Sequence, residues 1–498
     1  MSLPEPSQPT QRLLVAVVTA GFALWALSLV PLSEPLGTDV QRYLGNAVAL
    51  GTGELGGYHT WRAPLHAWAI LGLAPWVGGL VPASQILALA AITGLLPLTW
   101  WLGRRLWGPW TGLLAVGLLA AWPDLGLFAR ASTPYPLNAL LLTAGLAAGV
   151  AALERPRVWA PACGLALGLC VGGDVRGGAL AVAVLAAVAV LGQSPLRTAG
   201  VVLAAGLLAA GVGLGVRATL PLPLTPLSEQ IQFQRELHAQ GGPPTCRGVP
   251  APLGPAAVFT PCARDTLRSN LARGRAASPV PMAVWAGLVA VGVVTRRRRG
   301  APLLLPVLGA LPTAMLVGFE GRYLLPLATP LALLGAAGLA ACTQRPPRWG
   351  GAGAVAVVVG LGLAWHHHPG TALAHASTPG GPGSAPGAGR LLIRSPLALV
   401  ADRLSAGEPG DRLVDCTRSG LRTWVYPRPV ETWRPARGHR LDKRCGQVLA
   451  ATPVRTTWVL LRLRPGSQAP QPWDEVLRDP LADAGGQLVL LHGEPAAR

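Results

Sequence analysis

The sequence predicts a polytopic, all-α membrane domain of about eleven transmembrane helices, followed by a small α/β extracytoplasmic domain. Of the 498 residues, 51% are hydrophobic and only 13% are charged, whereas about 25% of the residues of a soluble domain are charged. The hydrophobic residues also form blocks of about 20 residues, the length at which a helix spans the hydrocarbon core. Together these observations exclude a soluble globular protein.

The first block, about Leu13 to Leu32, is long and has no A-x-A-like cleavage site after it, so we interpret it as a retained helix. The stretch from Trp61 to Leu80 contains Pro64 and Pro75 and is rich in Gly, which predicts a helix at the membrane interface. The remaining predicted spans share long runs of apolar residues, and they are 83–103, 106–123, 137–153, 158–173, 177–192, 198–216, 279–295, 301–318, 323–343 and 350–365.

The basic residues predict the orientation of these helices. A net charge of +19 would also suit a nucleic-acid-binding protein, but much of it lies in short clusters between apolar blocks: Arg104-Arg105, Arg155 to Arg157, Arg296 to Arg299 and Arg345 to Arg348. With a cytoplasmic N-terminus, all of these clusters are cytoplasmic, as the positive-inside rule requires. The segments 33–80 and 217–277 and the C-terminal tail then lie outside, and no nucleic-acid partner is expected.

The tail predicts a separate domain after the transmembrane domain of residues 1–365. Residues 366–389 form a linker rich in Gly, Pro, Ala and Ser. Residues 390–498 contain a helical stretch, Pro396–Ala406, and several short strand-like runs, which predict a small α/β domain. These runs are Arg412–Cys416, Thr423–Tyr426, Gln447–Ala450, Thr457–Leu463 and Gln487–His492.

The positions of the cysteines suggest two disulfide bonds. Cys246 and Cys262 share the long outer loop, and Cys416 and Cys445 share the tail. Both segments are predicted to face an oxidising compartment, where pairing within each segment leaves no odd partner. The alternative is four free thiols.

Asp39 is the most informative residue of the first outer segment. It directly follows a membrane helix and precedes an amphipathic stretch, Val40–Leu50. A carboxylate there can accept a proton from an acceptor hydroxyl or hold a metal ion. The alternative, to which we give equal weight, is that Thr38 or Asp39 caps the helix that follows.

Other charged residues lie close to the outer surface of the membrane, where such residues usually line a cavity or bind a charged ligand. Arginine is the side chain suited to two-point contact with phosphate. For Asp174 and Arg176, in the short turn between two spans, the alternative is a local ion pair. The other members of this group are Arg62, Arg130, Glu320, Arg322 and Tyr323.

Three stretches resemble motifs of the GT-C superfamily of membrane glycosyltransferases. Asp39-Val40-Gln41-Arg42-Tyr43 resembles its acidic motif, Trp61 to Trp68 resembles its Pro-Pro-Leu juxtamembrane helix, and Gly321 to Pro326 resembles its Arg-Tyr-Leu-Leu-Pro entry to a late span. The resemblance covers about residues 12–365 and is greatest to the branch of protein O-mannosyltransferases and lipid A aminoarabinose transferases.

The sequence also departs from these motifs. Val40 replaces the usual second acid, and Ala63 replaces the first proline. The second outer loop, Ala129 to Pro136, lacks the acid that often occurs there. Paired carboxylates are therefore missing from the motif, and the resemblance implies no certain cofactor, leaving a divalent cation such as Mg²⁺ or Mn²⁺ open.

The resemblance implies a glycosyltransferase of the bacterial inner membrane, with a cytoplasmic N-terminus and a periplasmic or extracellular C-terminal domain. It would transfer a sugar from a polyprenyl-phosphate donor in the bilayer to a hydroxyl of a protein, lipid or polysaccharide. Asp39 would be the general base, and Arg62, Arg176 and Arg322 would bind the donor phosphate. Further candidates on the same side are Glu54, His59, Asp124, Arg130, Asp174, Glu320 and Tyr323.

Two alternatives remain open from the sequence. A transporter or flippase of lipid-linked sugars should have internal repeats and broken helices near the membrane midplane, and the sequence has no clear repeat. A catalytically inactive GT-C relative remains possible because Val40 replaces the second acid.

The predicted orientation can be tested with fusions to alkaline phosphatase, which is active only outside the cytoplasm. We expect activity when the enzyme is fused after Leu363 and none when it is fused after Arg299, because the arginine cluster there should be cytoplasmic. The opposite pattern would exclude this orientation.

Overall fold

The computed structural model describes the backbone of most residues up to 366 and six segments of the tail. The described residues are 7–29, 40–53, 55, 58–122, 125–129, 133–174, 176–225, 229, 259–268, 279–316, 325–343, 350–366, 412–415, 430–432, 443–450, 457–463, 474–481 and 486–493.

The described part of the chain up to residue 366 is almost entirely helical. Its helices are α1 Gln8–Leu29, α2 Val40–Thr52, α3 Leu65–Val77, α4 Leu80–Trp107, α5 Pro109–Ala120, α6 Leu125–Phe128, α7 Tyr135–Ala152, α8 Pro156–Gly173, α9 Gly177–Leu191, α10 Pro195–Ala218, α11 Pro279–Thr295, α12 Arg297–Gly300, α13 Leu304–Leu316, α14 Ala328–Thr343 and α15 Gly350–His366. Residues 261–268 are also helical.

Every block that the sequence assigns to the membrane coincides with a helix. Among the described residues, five helical segments are long and apolar enough to cross a bilayer: Gln8–Leu27, Leu80–Trp107, Tyr135–Ala152, Pro195–Ala218 and Leu325–Cys342. Several other apolar helices, including α5 and α9, are shorter than 18 residues. The chain is thus built as a multi-pass membrane protein, and the number of eleven spans stays a prediction.

Helix α3 has the length and surface of an interfacial helix. Its 13 residues extend over about 20 Å, less than the roughly 30 Å of the hydrocarbon core. It exposes 84% of Trp76, a residue type enriched at membrane interfaces. The chain leaves α3 through Gly78 and Gly79, whose φ angles of 83° and 137° are accessible to glycine without steric strain.

The first outer segment packs on the beginning of α4. Leu44 and Ala47 of α2 and Ala67 and Ile70 of α3 form one apolar cluster with residues from the start of α4. Burial of this cluster fixes α2 and α3 against the bundle, so side chains on both helices have defined positions.

Glycines bring several helices into close contact. In α8, Gly164 and Gly168 face backbone atoms of α10, where an added Cβ would lie 2.7 and 2.8 Å from carbonyl oxygens. A Cβ at Gly292 of α11 would meet the carbonyl oxygen of Leu334 of α14, and one at Gly338 would meet that of Leu288. In lipid there is no hydrophobic driving force between helices, so van der Waals packing holds them together. Small residues allow the close approach that this packing needs.

The described segments of the tail form a five-stranded mixed sheet. Its strands are β1 Arg412–Asp415, β2 Val430–Thr432, β3 Thr457–Leu463, β4 Asp474–Leu481 and β5 Gly486–Gly493. Their order is β2-β1-β3-β5-β4. Strand β1 is parallel to β2 and β3, whereas β5 is antiparallel to β3 and β4.

One predicted strand is wrong, because residues 447–450 belong to helix α16, Lys443–Ala450. The apolar residues Cys445, Val448 and Leu449 have helical spacing, and Leu449 is buried while Gln447 is exposed. The predicted strand at 423–426, the predicted helix at 396–406 and most of the linker lie outside the described residues, so the domain limits stay predictions.

We expect Gly292→Ala to destabilise the protein, because its methyl group would push α11 away from α14. Overpacking of this kind costs about 1–3 kcal/mol. The matched control is Gly287→Ala in the same helix, where an added Cβ meets nothing within 4 Å. Thermal unfolding of the purified variants in detergent should show a lower midpoint only for Gly292→Ala; equal midpoints would show that the two helices can separate without cost.

Candidate active site

A small pocket lies between the ends of α7, α8 and α9, with α13 and the segment before α14 opposite. The predicted orientation places these helix ends on the outer side of the membrane. The pocket is lined by Tyr135, Asn138, Cys170, Asp174, Arg176, Gly177, Leu180, Ala310 and Pro326. It thus brings two sequence-predicted site residues next to Pro326, the last residue of the third motif.

Asp174 and Arg176 form an ion pair within the turn between α8 and α9. The Arg176 side chain donates from Nε to Oδ1 of Asp174 at 2.9 Å and from a terminal nitrogen to Oδ2 at 2.6 Å. The backbone N–H of Arg176 also donates to Oδ1, at 2.8 Å. The local ion pair that the sequence left as an alternative is therefore present, and it engages both carboxylate oxygens.

This turn depends on the glycines that flank it. Helix α8 ends at Gly173 and α9 begins at Gly177, where an added Cβ would meet the carbonyl oxygen of Cys170. The side chains of Asp174 and Arg176 are only 11% and 22% exposed. Burial raises the pKa of the Asp174 carboxyl, but the charge and hydrogen bonds of Arg176 outweigh burial and hold this pKa below its usual value.

Arg176 also contacts Tyr135, at the beginning of α7. A terminal guanidinium nitrogen donates to the Tyr135 hydroxyl at 3.0 Å, and the guanidinium lies 5.0 Å from the ring centroid. Because Tyr135 is buried, with 2% of its surface exposed, the contact combines a hydrogen bond with a cation–π interaction in a desolvated place.

Arg62, in the turn before α3, makes a parallel arrangement with a second tyrosine. Its guanidinium lies 4.6 Å from the ring centroid of Tyr43, on α2. The Tyr58 hydroxyl donates to the backbone carbonyl of Arg62 at 2.9 Å. The charge of Arg62 also acts on Asp174, and the phenols of Tyr43 and Tyr135 interact with each other. Two arginine–tyrosine pairs therefore meet near one carboxylate.

Arg217, in the last turn of α10, is a third cation that the sequence reasoning missed. One of its terminal nitrogens donates to the carbonyl of Val171 at 3.3 Å, its Nε has no hydrogen-bond partner, and its charge acts on Asp174. The available signal was a single basic residue at the outer end of an apolar span, against the positive-inside trend. With Arg62 and Arg176, three guanidinium groups lie close enough to Asp174 for their charges to act on its carboxylate.

Buried polar side chains continue the site beneath the arginines. Among the described residues, Oδ1 of Asn138, which lines the pocket, has no hydrogen-bond partner, and the Tyr43 hydroxyl lies next to that of Tyr135. The His66 ring makes an edge contact with Tyr43 at a centroid distance of 5.6 Å. Burial lowers the pKa of His66 to about 3, so the imidazole is neutral at physiological pH.

The chain that follows α10 lies across the turn that carries Arg62. The backbone N–H of Thr225 donates to the carbonyl of Thr60 at 3.0 Å, and the hydroxyls of these two threonines are 2.7 Å apart. The indole N–H of Trp68 donates to the Thr219 hydroxyl at 3.0 Å. We call residues 219–225 the strap; it ties the beginning of the long outer loop to the first outer segment.

The other sequence-predicted site residues are distributed differently. His59 is not part of the pocket lining. Its backbone N–H donates to Oδ1 of Asn46 at 2.7 Å, and its side chain is exposed. The remaining candidates lie outside the described residues, so their roles stay predictions: Asp39, Glu54, Asp124, Arg130, Glu320, Arg322 and Tyr323.

The predicted disulfide pairs also stay predictions. Of the four cysteines in these pairs, the structure describes the side chain of Cys262 alone. Cys246 and Cys416, together with the side chain of Cys445, lie outside the described residues. The three cysteines of the predicted spans, Cys163, Cys170 and Cys342, are free.

The described residues do not provide a site for a divalent cation. No group of three or more His, Cys, Asp or Glu side chains comes together within this part of the chain. The carboxylate of the pocket, Asp174, has both oxygens engaged by Arg176. Metal dependence stays a prediction.

We expect Asp174→Asn to lower stability strongly, because it leaves the guanidinium of Arg176 largely buried without its counter-charge. Breaking a buried pair by removing one partner costs about 3–5 kcal/mol. The matched control is Asp265→Asn, since Asp265 pairs with the more exposed Arg264 and Arg268 and exposed pairs contribute about 1 kcal/mol or less. Thermal unfolding in detergent should separate the two variants; equal small losses would mean that water reaches Arg176.

No family model matches the sequence, and no curated protein matches it. Two solved structures of ArnT from Cupriavidus metallidurans match almost the whole chain. The apo structure has a TM-score of 0.61 at 14% identity and covers 96% of this chain and 97% of that chain. The structure bound to undecaprenyl phosphate has a TM-score of 0.60 at 14% identity and covers 98% of both chains. This chain therefore has the fold of these ArnT structures, in agreement with the fold that its three motifs predict.

Proposed function

We propose that this protein is a membrane glycosyltransferase. It transfers a sugar from a polyprenyl-phosphate-linked donor to a hydroxyl group on the outer face of the bacterial inner membrane. The observation that carries this proposal is the grouping of Arg62, Arg176 and Arg217, from three separate segments, around the carboxylate of Asp174, which lines the pocket. The full-length match to an ArnT structure that contains undecaprenyl phosphate supports the same class of donor.

The electrostatics of the pocket suit a phosphate leaving group. The charges of three guanidinium groups, those of Arg62, Arg176 and Arg217, act on the Asp174 carboxylate and concentrate positive charge around it. When the bond between the sugar and the phosphate breaks, the phosphate gains negative charge. Cations held in place beforehand stabilise this developing charge more than they stabilise the donor, and they thereby lower the barrier.

Asp39 completes the proposed reaction as general base. It directly precedes α2, the helix whose Tyr43 supports Arg62. The acceptor hydroxyl oxygen attacks the anomeric carbon, and its proton passes to the Asp39 carboxylate. The bond between this carbon and the phosphate oxygen breaks, polyprenyl phosphate leaves, and the configuration at the anomeric carbon inverts.

The alternatives lead to different measurements. A flippase of lipid-linked sugars would move the donor across the bilayer without consuming it. An inactive relative would bind the donor but would neither transport it nor transfer its sugar. The three arginines on one side of the bundle favour chemistry at that surface over transport through the midplane. Transfer of a radiolabelled sugar from polyprenyl phosphosugars in membranes distinguishes the three functions.

We expect Asp39→Asn to lower the transfer rate about a hundredfold to ten-thousandfold, because asparagine cannot take the proton of the acceptor. If Asp39 is only a helix cap, asparagine caps equally well and the change is nearly silent. The measurement is sugar transfer at saturating donor, with the membrane level of each variant checked by immunoblot.

The matched control for this experiment is Asp474→Asn, the same change at an exposed position of the tail. It should leave the transfer rate unaltered. Full activity of Asp39→Asn at normal protein level would remove Asp39 from the mechanism and make Glu54 and Asp124 the next candidates.

A further inference from the structure

The edge of the Arg176 guanidinium group formed by Nε and a terminal nitrogen already binds Asp174. Arginine binds a carboxylate or a phosphate in two-point fashion through one edge of its guanidinium group. In this protein Nε and a terminal nitrogen of Arg176 lie at 2.9 and 2.6 Å from the two oxygens of Asp174. The same edge cannot hold a donor phosphate at the same time, so Arg176 is poorly placed for the phosphate contact that its sequence position suggests.

A second contact of Arg176 points to a different role. It donates to the Tyr135 hydroxyl at 3.0 Å. A phenol has one proton and can accept with its lone pairs. When its oxygen accepts from a guanidinium cation, its own O–H becomes a stronger donor to another acceptor, because neighbouring hydrogen bonds polarise one another.

Tyr135 is held rigidly at the wall of the pocket. It is the first residue of α7 and lies between Pro134 and Pro136, and it is 2% exposed. The guanidinium of Arg176 covers its ring. Of the other two arginines near Asp174, Arg217 has an Nε without a hydrogen-bond partner.

We propose that the Tyr135 hydroxyl donates a hydrogen bond to a phosphate oxygen of the polyprenyl-linked donor, and that Asp174 and Arg176 are positioning residues for Tyr135. This inference rests on the proposed function. The order of contacts is Asp174 to Arg176, Arg176 to Tyr135, and Tyr135 to the ligand, whereas Arg62 and Arg217 add positive charge near Asp174. Tyr135 was not among the residues that the sequence motifs single out.

A double-mutant cycle tests whether Arg176 acts through Tyr135. Tyr135→Phe removes only the hydroxyl and keeps the ring beneath the guanidinium, and Arg176→Lys keeps the charge and loses the fork. Each single variant should lower kcat/KM for the donor about tenfold to a hundredfold, the loss of one hydrogen bond to a charged group. The double variant should resemble Tyr135→Phe, because both changes remove the same interaction. Losses that multiply would overturn the positioning role.

Matched controls separate these effects from general damage. Tyr426→Phe makes the same change in the tail, outside the described residues, and Arg157→Lys changes an exposed arginine at the opposite end of α8. Both controls should keep the kcat/KM of the unmodified protein. If the controls lose as much kcat/KM as the site variants, the losses are not specific to the site and the inference is wrong.

Binding of farnesyl phosphate, a short prenyl phosphate, provides a readout that does not need transfer activity. It should raise the thermal unfolding midpoint of the unmodified protein and raise that of Tyr135→Phe much less. If no polyprenyl phosphosugar supports transfer, the proposed function fails, and selective loss of farnesyl phosphate binding in Tyr135→Phe still supports the inference. If the unmodified protein transfers sugar and Tyr135→Phe equals it in both kcat/KM and farnesyl phosphate binding, the inference is wrong.

Discussion

The pairing of Asp174 with Arg176 organises the candidate active site. A carboxylate this far from water is ionised only if a cation and hydrogen bonds replace its hydration, and Arg176 supplies both from two residues away. The same ion pair closes the turn between α8 and α9. It also orients Arg176 so that a terminal nitrogen donates to the Tyr135 hydroxyl of α7. One local ion pair thereby sets the positions of three helix ends around the pocket.

The positions of the helices could be predicted from the sequence, because in hydrocarbon every backbone polar group must be bonded within its own segment. The number of spans could not, since helices such as α5 and α9 have the composition of a span but not its length. In the tail, the apolar residues near Leu449 fit a short strand as well as a helix, and only burial on one side of α16 decides between them.

The site was predictable in its charges but not in its contacts. Arg62, Asp174 and Arg176 were found because charged residues at the membrane edge are costly unless they function. The tyrosines beneath the two arginines, Tyr43 and Tyr135, were not, because the partners come from different helices and no spacing along the chain links them. Arg217 was missed because the positive-inside rule was used only to assign the orientation of the helices. Under that rule, a single arginine on the outer side is an exception and not a sign of a site.

The strap gives the long outer loop a fixed point of origin. Through Thr225 and Thr60 the loop is tethered beside the turn of Arg62, while its covalent root is Arg217 at the end of α10. A tethered chain loses less conformational freedom when a later part of it contacts a ligand nearby, because part of the entropy of loop closure has already been lost. Because the hydrogen bonds between Thr60 and Thr225 join the segments that carry Arg62 and Arg217, we expect a displacement of one segment to displace the other.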